Sequence, residues 1–573
     1  MNLRPTSIRN APSSRRDFIR ASAGVALGAA LASGPSLEAA ASDAGDARTG
    51  FAIATFHCLG LYWSPAGGGL ERAVRVRYRK EGESTWREGL SMRYNPMPET
   101  EEDLADYRGS IVHLTPATVY EVELTLDGTA TTTRFTARTW SENFPIAETV
   151  RPKNSDQPLA IVESGMPDAY RVYDGRGATI DVGHRHDACI TVNASYVILR
   201  GFTLKGAGNA ANQNRAKVGA ILLEDGHHIV IEDCDISDWG RLHPTTGYGF
   251  NYDSAILSRS NTVRQLVVQR CKMHHPTHDS NTWHEPKNPT HPQGPQCISL
   301  FDTAGNHVIR YNECWSDLDH MYNDVIGGGE NGSFRGAPGP DSDVYGNRVS
   351  HCWDDGLEIE GGNRNTRIWN NYISQSMMAI GNAATSIGPL YIWRNVADRS
   401  QWKPDYHGGN FVKMGFASGE KWMTGHMYFF HNTVFRGDEW LPTGGLGGSR
   451  IVKHCVSRNN ILHVREAQKH SISSNAVNVD NSFDYDLYNG QIPAGQEAHG
   501  IRGEPVYVAK AGFDPVTLTG DFQLASDSPG CAAGERIPNF SDGDKESAPD
   551  IGAHQRGTPR MCFGVNAREN AAI

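Results

Sequence analysis

Three segments in the middle of the chain read Val344-Tyr-Gly-Asn347, Arg367-Ile-Trp-Asn-Asn371 and Leu390-Tyr-Ile-Trp-Arg-Asn395. Each is a short apolar strand that ends at an Asn, and the three Asn residues stand 24 positions apart. A period in the low twenties, with a polar residue at one corner of every repeat, is typical of a parallel β-solenoid. Asn suits that corner because its amide can bond the backbone, it tolerates the left-handed bend, and stacked copies can bond one another.

The same column of corner residues continues in both directions from this stretch. Its members are Cys234, Cys271, Asn312, Asn347, Asn371, Asn395, Asn432 and Asn460. Apolar strands precede them, and the further examples are Ile229-Val-Ile, Leu266-Val-Val, Val308-Ile-Arg-Tyr and Met427-Tyr-Phe-Phe. A second set of strands comes earlier in each repeat: Ala220-Ile-Leu-Leu, Ala255-Ile-Leu, Cys297-Ile-Ser-Leu, Asp324-Val-Ile-Gly, Leu357-Glu-Ile-Glu, Ala379-Ile-Gly and Phe411-Val-Lys-Met. The longer repeats carry inserted loops.

This repeat pattern resembles the right-handed parallel β-helix of the pectate lyase and polygalacturonase superfamily. The closing segments Asp521-Phe-Gln-Leu-Ala-Ser-Asp-Ser-Pro529 and Pro549-Asp-Ile-Gly-Ala553 resemble the last coils of many secreted β-helix proteins. The resemblance implies a solenoid over residues 161–556, followed by a C-terminal tail at 557–573. A fold of this kind does not by itself fix the function.

Residues 50–140 have a different pattern. Apolar and basic residues alternate over Val74–Tyr78, as in a strand with one buried face. The segment Leu114-Thr-Pro-Ala-Thr-Val-Tyr120 resembles the L-x-P-x-T-x-Y signature of fibronectin type III domains, which implies a seven-stranded β-sandwich. The proline-rich residues 141–160 indicate a linker. The predicted fold class is therefore all-β, with a small fibronectin type III-like sandwich ahead of a right-handed parallel β-helix.

The N-terminus reads as an export signal. Ser14-Arg-Arg-Asp-Phe-Ile-Arg20 resembles a twin-arginine motif, an apolar run follows, and Ala39-Ala-Ala41 offers a cleavage site. The resemblance implies a signal peptide at residues 1–41 and export of the folded protein by the bacterial twin-arginine translocon, so a periplasmic or secreted location is predicted. The apolar run is too short, and too rich in Ala and Gly, for a membrane span to be predicted after cleavage.

The composition of the chain indicates which classes of partner it is suited to bind. The chain of 573 residues has a formal net charge of −11, and removal of the Arg-rich signal makes it more acidic still. An acidic protein is a poor partner for nucleic acid or an anionic membrane surface, and a polyanionic substrate would require a locally basic cleft. The 10 Cys residues include no CxxC pair, which predicts buried thiols and not a disulfide scaffold.

One repeat carries an unusual density of acids: His351-Cys-Trp-Asp-Asp-Gly-Leu-Glu-Ile-Glu-Gly-Gly362. Apolar and acidic residues alternate over Leu357–Glu360, which predicts a strand with one buried and one wet face, and Asp354-Asp355 stands just ahead of it. Because clustered carboxylates repel one another, they require an explanation. A solvated acidic edge, a set of calcium ligands and a catalytic cluster are the three interpretations.

Loop insertions favour the catalytic interpretation. Asp238–Asp253, His274–Pro295, Glu330–Pro340 and Ala397–Gly409 all enter or leave the set of strands that carries the acids, so we expect them to wall a cleft. Their aromatic residues are Trp239, Tyr248, Tyr252, Trp283, Trp402 and Tyr406. Aromatic rings beside acids and amides suit sugars, although each ring taken alone is more often loop packing.

The insertion at 274–295 is also rich in histidine, with His274, His275, His278, His284 and His291. Its prolines disfavour a helix, and no spacing matches a helical HExxH metal motif. We expect a polar loop from which one His reaches the cleft.

The acidic stretch resembles the Asp-Asp strand of polygalacturonases, and Asn323-Asp324 resembles the Asn-x-Asp that precedes it by one coil in that family. Because three Asp there protonate the leaving oxygen and activate water, the resemblance implies catalytic roles for Asp324, Asp354 and Asp355. Clustered charges raise at least one pKa, which keeps an acid protonated near neutrality. Glu358 and Glu360, at i and i+2 on one strand, would place carboxyls about 5–9 Å apart, a range that covers retaining and inverting glycosidases.

The chain departs from that family at two motifs. Ala379-Ile-Gly-Asn382 stands where the family has His-Gly, and the Arg-x-Lys for the substrate carboxylate has only a loose echo in His407-Gly408 and Lys413. A galacturonan substrate is therefore unsupported. The residues predicted to bind substrate are Asn323, Trp353, Arg364, Asn382, His407 and Lys413.

Two other functions stay open beside a secreted glycoside hydrolase, which would need no cofactor. A lyase or C5-epimerase acting on a uronate-containing polysaccharide would bind Ca²⁺ through Asn323, Glu358 and Glu360, because several β-helix lyases use acids at i and i+2 plus an Asn or Asp of the coil before. Its acid or base would come from Lys413, Arg364 and Arg367. A non-catalytic carbohydrate-binding β-helix predicts a smooth solenoid, which the insertions disfavour.

Overall fold

The computed structural model describes residues 49–95, 105–212, 218–283, 291–398, 401–403, 406–415, 420–436, 443–447, 451–473, 480–508, 512–514, 519–541 and 548–567. The export signal predicted at 1–41 and His284 of the His-rich loop lie outside these residues.

Two antiparallel sheets form an N-terminal sandwich. The three-stranded sheet has the order Phe51–Ala54, Leu59–Trp63 and Tyr107–Ile111, and the four-stranded sheet has the order Arg87–Glu88, Val74–Lys80, Val119–Leu126 and Thr132–Arg138. Alternation in the second strand of that sheet places Val74, Val76 and Tyr78 in the core and leaves Arg75 exposed. The pattern is that of a strand with one face on the core and one face towards water.

A 12-stranded parallel sheet follows, with one strand from each coil. In spatial order its strands are Ile146–Val150, Tyr170–Asp174, Val197–Arg200, His227–Glu232, Arg264–Gln269, Val308–Arg310, Asp343–Tyr345, Thr366–Trp369, Leu390–Trp393, Met427–Phe430, Cys455–Arg458 and Ser482–Phe483. Register is kept from coil to coil, so Val344, Ile368 and Ile392 are direct partners. Parallel strands of consecutive coils in one register define a solenoid.

The remaining walls of the solenoid form one 19-stranded parallel sheet. Its strands are Leu159–Ile161, Thr179–Asp181, Ile190–Asn193, Thr203–Lys205, Gly219–Asp225, Asp235–Ser237, Ser254–Ser258, Lys272–His274, Gln296–Leu300, Glu313–Trp315, Ile326–Gly327, Arg348–Glu358, Tyr372–Asn382, Val396–Asp398, Asn410–Met414, Thr433–Arg436, Ile461–Val464, Leu487–Tyr488 and Ile501–Arg502. Smaller elements are the strand pairs Gln401–Lys403 with Tyr406–Gly408, Thr443–Leu446 with His470–Ile472 and Gly512–Asp514 with Thr519–Asp521, and the 3-10 turn Glu420–Trp422.

Stacked aliphatic side chains fill the inside of the solenoid. Ile298, Ile326, Leu357, Ile380 and Val412 follow one another in register on successive coils and are buried. Full burial of one such side chain is worth about 1.5–3 kcal/mol, so the interior column stabilises every coil that contributes to it.

The corner residues form a hydrogen-bonded ladder. Asn371 Nδ2 donates to Val344 O and to Asn395 Oδ1, both at 2.9 Å. Asn371 Oδ1 accepts from Asn347 N at 3.1 Å and from Asn347 Nδ2 at 3.0 Å. The same bonds join Asn312, Asn347, Asn371, Asn395, Asn432 and Asn460, and the ladder ends where Asp486 Oδ1 accepts from Asn460. The stacked bonds expected from the sequence are therefore present.

The left-handed bend lies one residue earlier than we expected. Backbone φ is positive at Tyr311, Gly346, Asn370, Arg394 and His431, each of which directly precedes a corner Asn. The corner Asn aims its own N–H and its amide along the stack, and the next strand starts directly after it. The preceding residue must therefore make the turn.

Two predicted boundaries are corrected by the strand pairing. Ile146–Val150 pairs with Tyr170–Asp174, and Leu159–Ile161 pairs with Ile190–Asn193, so the solenoid begins within the predicted linker 141–160. The prolines of this segment flank its two strands without interrupting them, as proline does in sheets.

The predicted tail is likewise attached to the solenoid. Gly564 N donates to Gly346 O at 2.9 Å, and the Phe563 ring lies 5.3 Å from that of Tyr372. Residues 557–567 therefore pack against the coils, because Phe563 finds a buried apolar position there.

The sandwich docks against loops of the coils that carry the acids. Tyr62 OH donates to Asp341 Oδ1 at 2.8 Å. The buried guanidinium of Arg108 donates to Ile387 O and Gly388 O, both at 2.9 Å. Because these groups are buried together, the contact fixes the sandwich on this side of the solenoid.

The predicted fold class is confirmed: the protein is all-β, with a small sandwich ahead of a parallel β-helix. All 10 cysteines are free thiols, and eight of them are buried. Among the described residues, no helix has the length and apolar character that a membrane crossing requires.

Candidate active site

Asp354 and Asp355 lie inside an 11-residue strand, Arg348–Glu358, and not ahead of it as predicted. This coil has no insertion after the corner, so the backbone runs straight into the acidic stretch. Cys352 pairs with Ser376 but Asp355 pairs with Met378, which leaves one extra residue in the acidic strand. Such a bulge re-aims side chains, and it explains how the buried Cys352 and Leu357 both face the interior although an odd number of positions separates them.

Beyond the bulge, inward and outward residues alternate as the sequence predicts. Leu357 and Ile359 belong to the solenoid core, whereas Glu358 faces outwards in one register column with Gly327, Gly381 and Lys413. The two glycines leave the space that the longer side chains use. A Cβ on Gly327 would lie 2.5 Å from Glu358 Oε2, and a Cβ on Gly381 would lie 2.1 Å from Asp355 Oδ2.

Asp324, Asp354 and Asp355 converge at the centre of this face. Each offers one carboxyl oxygen, and the three oxygens lie within 4.8 Å of one another. All three side chains are buried, at 2% exposure or less. They are brought together because Asp324 lies two residues before the neighbouring strand Ile326–Gly327, at the level of Asp355 on the adjacent coil.

Both oxygens of Asp324 accept hydrogen bonds. Asp355 N donates to Asp324 Oδ1 at 3.0 Å, and Gln296 Nε2 donates to Asp324 Oδ2 at 2.8 Å. Gln296 is held in turn, because its Oε1 accepts from the Ser299 hydroxyl. A carboxylate with two donors is favoured in its ionised form, which opposes the effect of burial.

Lys413 supplies a positive charge two coils from Asp355. Its Nζ lies 2.7 Å from Asp355 Oδ2 and 2.9 Å from Glu360 Oε1. Glu358, between them in sequence, has a different partner: its Oε2 accepts from Gly328 N at 3.1 Å. The cluster therefore combines five carboxyl groups with one ammonium group.

His291 marks the mouth of the site. Its Nε2 lies 3.0 Å from Asp354 Oδ2, and about half of the His291 side chain is exposed. The ring of Trp283 lies 4.8 Å from the imidazole. The insertion at 274–295 thus brings one histidine to the acids, as we expected of that loop, and an indole packs beside its ring.

Burial and neighbouring charges shift the pKa values of the groups in the cluster. Burial, with repulsion from the neighbouring carboxyls, raises the pKa of Asp324 well above its ordinary value. Burial also raises the pKa of Asp355, although Lys413 opposes the rise. Burial and Glu360 raise the pKa of Glu358 to about 8. Burial alone would lower the pKa of Lys413, but Asp355 and Glu360 raise it well above the usual value, so the ammonium stays charged.

Tyr252 and Asn251 form another wall. Burial, Glu358 and Asp324 raise the pKa of the Tyr252 hydroxyl to about 12, which keeps it a neutral hydrogen-bond donor near the acids. Asn251 Oδ1 accepts from Asn323 Nδ2 at 2.9 Å, and this bond orients the predicted substrate ligand Asn323. Asn323 Oδ1 is buried without a hydrogen-bond partner, so it is available to a ligand.

Two residues predicted to bind substrate are fully buried. Asn382 is fully buried and donates to Met427 Sδ inside the solenoid, because it shares the inward face of its strand with Ile380. Trp353 is also fully buried, and it packs with Met321, Met377 and the loop residue Trp283, so its ring is not exposed for a sugar to stack on. Strict alternation along the strand accounts for the inward position of Asn382.

The arginines predicted as a substrate ligand or as the catalytic acid or base lie away from the carboxyl cluster. Arg367 lies on the other sheet, fully buried, and its guanidinium pairs with Asp343. Arg364 lies near the sandwich residue Arg108, and its backbone carbonyl accepts from Asp341 N. The His407 side chain lies outside the described residues, and its backbone belongs to the strand Tyr406–Gly408.

The predicted calcium ligands Glu358 and Glu360 already have other partners. Ca²⁺ takes six to eight oxygen ligands, whereas the Lys413 ammonium already lies against Glu360, and Glu358 accepts from a backbone N–H. Asn323 is bonded to Asn251 on the side of the neighbouring coil.

Several residues of the site escaped the sequence analysis. Gln296 begins a strand already recognised as part of the repeat, but nothing in one coil shows that its amide reaches the next. Tyr252 was one of six loop aromatics with no signal to distinguish it. His291 had a usable signal, since it was the His nearest the end of an insertion that returns to the acidic sheet.

Comparisons with known proteins give weak likenesses. No protein-family model matches the chain, and no curated protein matches it. The solved structure of a family 28 exopolygalacturonase from Yersinia enterocolitica is 12% identical with a TM-score of 0.26, over 80% of this chain and 100% of that one. The catalytic domain of a GH87 alpha-1,3-glucanase in complex with tetrasaccharides is 9% identical with a TM-score of 0.21, over 78% and 79%. TM-scores this low say nothing further about this chain.

Proposed function

We propose that this protein is a glycoside hydrolase that cleaves a polysaccharide or oligosaccharide by carboxyl general acid–base catalysis. The observation that carries the proposal is the convergence of Asp324, Asp354 and Asp355 at one buried, outward-facing point of the solenoid. Glycoside hydrolysis requires one carboxyl group that donates a proton and one that activates water or attacks, and environments that push their pKa values apart.

The hydrogen bonds suggest which carboxyl does what. Asp324 accepts two hydrogen bonds and Asp355 accepts the Lys413 ammonium, contacts that favour the ionised form and oppose the rise in pKa that burial causes, and we assign these two groups to activating a water molecule. Asp354 has neither contact, and its neighbour His291 is half exposed. We therefore assign the proton donor to Asp354, with His291 as the route by which the proton is restored from solvent.

The charges favour an uncharged sugar. Five carboxyl groups crowd this face of the solenoid, and Lys413 is already paired with two of them. A uronate would bring a further negative charge to this face, which costs electrostatic energy that a neutral sugar ring does not. The aromatic rings of Trp283 and Tyr252 offer apolar faces on which such rings stack.

A lyase acting through Lys413 is disfavoured by the same geometry. Proton abstraction from C5 needs a neutral amine, whereas the carboxylates around Lys413 hold it charged. The ammonium is better suited to opposing the rise in pKa that burial causes at Asp355.

The test is a reducing-end assay on neutral and uronate-containing polysaccharides, with absorbance followed near 235 nm in parallel and with each assay repeated in EDTA. New reducing ends from a neutral glycan, without absorbance and unaffected by EDTA, are expected. Asp324→Asn, Asp354→Asn and Asp355→Asn should each lower the rate by about 10²–10⁴-fold while the circular dichroism spectrum is unchanged. The surface variant Asp156→Asn serves as the control.

Other outcomes contradict the proposal in distinct ways. Absorbance that is lost on chelation means a metal-dependent lyase. Full activity in all three Asn variants places the chemistry elsewhere. Glycan binding without any product leaves a carbohydrate-binding solenoid.

We also propose that the protein acts outside the cytoplasm, since polymeric glycans are met there and Arg15-Arg16 forms the predicted twin-arginine motif. Replacing both arginines with lysine should retain the protein in the cytoplasmic fraction. Unchanged export in that variant would reject this route.

A further inference from the structure

A second polar cluster lies away from the carboxyls, at the edge of the 12-stranded sheet. His426, His454 and Asp480 precede the strands of three consecutive coils and occupy one register column. Each offers one ligand atom, and these atoms lie within 4.8 Å of one another. The solenoid thus stacks two imidazoles and a carboxylate as it stacks the Asn residues of the ladder.

Asn95 of the sandwich fixes the tautomer of His426. Asn95 Nδ2 donates to Arg93 O at 3.2 Å, so its Oδ1 is the atom that faces His426 Nδ1, at 2.8 Å. Asn95 is itself buried and anchored by its own N–H to Asp106 O. Because Oδ1 can only accept, His426 must carry its proton on Nδ1, and the lone pair of Nε2 points to the cluster.

The carboxylate of Asp480 is divided between two kinds of partner. Oδ2 lies 2.9 Å from His454 Nδ1 and 3.7 Å from His426 Nε2. Oδ1 faces the guanidinium of Arg93 at 3.7 Å. One oxygen is therefore shared by the two imidazoles while the other is oriented by the arginine.

We propose that His426 Nε2, His454 Nδ1 and Asp480 Oδ2 bind a divalent transition-metal ion of the zinc class. Ligand atoms about 2.0–2.1 Å from tetrahedral Zn²⁺ lie roughly 3.3 Å apart, and the two separations around Asp480 Oδ2 bracket that value. Imidazole ligands select such ions over Ca²⁺ or Mg²⁺. A histidine that donates its other N–H to a fixed acceptor is the usual outer support of such a site.

The position of the cluster indicates what the metal does. It joins three coils near the C-terminal end of the 12-stranded sheet to the sandwich, which contributes Asn95 and Arg93. His426 is buried, whereas about half of the Asp480 side chain is exposed, so an ion can enter from solvent. The metal ties the three coils to one another, the sandwich supports the ligands through Asn95 and Arg93, and the fourth position is left to water.

The test uses tag-free mature protein that has been stripped of metal and is titrated with Zn²⁺ by calorimetry. One equivalent should bind and raise the melting temperature, and Co²⁺ in its place should give the visible bands of a histidine-ligated ion. His454→Ala and Asp480→Asn should each abolish this binding. Asn95→Ala, which removes only the support of His426, should weaken it by about 10–100-fold.

The matched control is His499→Ala. His499 Nδ1 pairs with Asp484 Oδ2 at 2.8 Å. The substitution therefore removes an exposed histidine–aspartate pair that lacks a second imidazole. This variant should bind Zn²⁺ as the parent protein does. The absence of Zn²⁺ binding in the parent, or equal binding in His454→Ala and Asp480→Asn, overturns the proposal. Where His454→Ala is misfolded by circular dichroism, the near-isosteric Asp480→Asn decides.

Discussion

The Lys413 ammonium reaches Asp355 across Gly381, with Nζ 2.7 Å from Asp355 Oδ2 although the two residues lie two coils apart. The intervening glycine makes the contact possible, since any Cβ there would fall 2.1 Å from the same oxygen. Three consecutive coils thus cooperate in one ion pair. The result is a buried carboxyl group that keeps a fixed cation beside it.

Lys413→Met tests the role of that cation. The positive charge of Lys413 lowers the pKa of Asp355 and partly offsets the effect of burial. Without the ammonium, this pKa should rise further. We expect kcat to fall by about 10²-fold and the acidic limb of the pH–activity profile to move to higher pH. Lys421→Met, on an exposed turn, is the control. An acidic limb that stays in place would show that Lys413 does not tune Asp355.

Gly381→Ala tests the spatial requirement. The new methyl group must displace the carboxyl end of Asp355, which is held by Lys413. We expect activity to fall by at least tenfold and the free energy of unfolding to fall by about 1–3 kcal/mol, the usual cost of overpacking. Gly69→Ala is the control because its Cβ would meet open space. Wild-type kinetics in Gly381→Ala would mean that the ion pair is dispensable.

The corner ladder was predictable from sequence because its bonds recur at every coil. Each Asn bonds the equivalent Asn one repeat later, so the period of the bonds is the period of the sequence. The acids at Glu358 and Glu360 followed from simple alternation. Both features depend on local repetition and not on which distant segments meet.

The positions of the remaining site residues depend on contacts between coils, which the sequence of one repeat does not show. The bulge between Cys352 and Asp355 exists only relative to the neighbouring strand, and it moved Asp354 and Asp355 into the strand. Arg367 was a candidate for the catalytic acid or base because the sequence does not show that it pairs with Asp343, a residue of another coil. Asn382 could have been excluded, since it stands two residues after the inward Ile380.

Asn371→Ala tests the ladder. The substitution removes the two hydrogen bonds that the Asn371 amide donates and the two that it accepts at a fully buried corner. It also leaves the N–H of Asn347 without its partner. Buried groups left unpaired cost about 1–3 kcal/mol each, so we expect the free energy of unfolding to fall by about 2–4 kcal/mol. Urea unfolding followed by fluorescence measures the change. Asn193→Ala, at an exposed strand end, should change it little, and a similar small loss in Asn371→Ala would contradict the structural role of the ladder.

Glu358 should make the stability of the protein depend on pH. Burial and the charge of Glu360 raise its pKa in the folded protein from 4.5 to about 8. A carboxyl group whose folded pKa lies above its unfolded value stabilises the fold while it is protonated, and this contribution is lost as pH rises from the unfolded pKa through the folded one. The wild-type protein should therefore lose stability between about pH 4.5 and pH 8.

Glu358→Gln isolates this contribution, because the neutral amide mimics the protonated carboxyl and does not titrate. The melting temperature of the variant relative to the wild type should rise steadily from pH 5 to pH 9, as expected for a group that titrates between about 4.5 and 8. Differential scanning calorimetry at three pH values measures the difference, with the exposed Glu224→Gln as the control. A difference that is flat, or that shrinks with pH, would show that Glu358 ionises in the folded protein as readily as in water. The electrostatic coupling inferred for the cluster would then be wrong, whatever the activity of the variant.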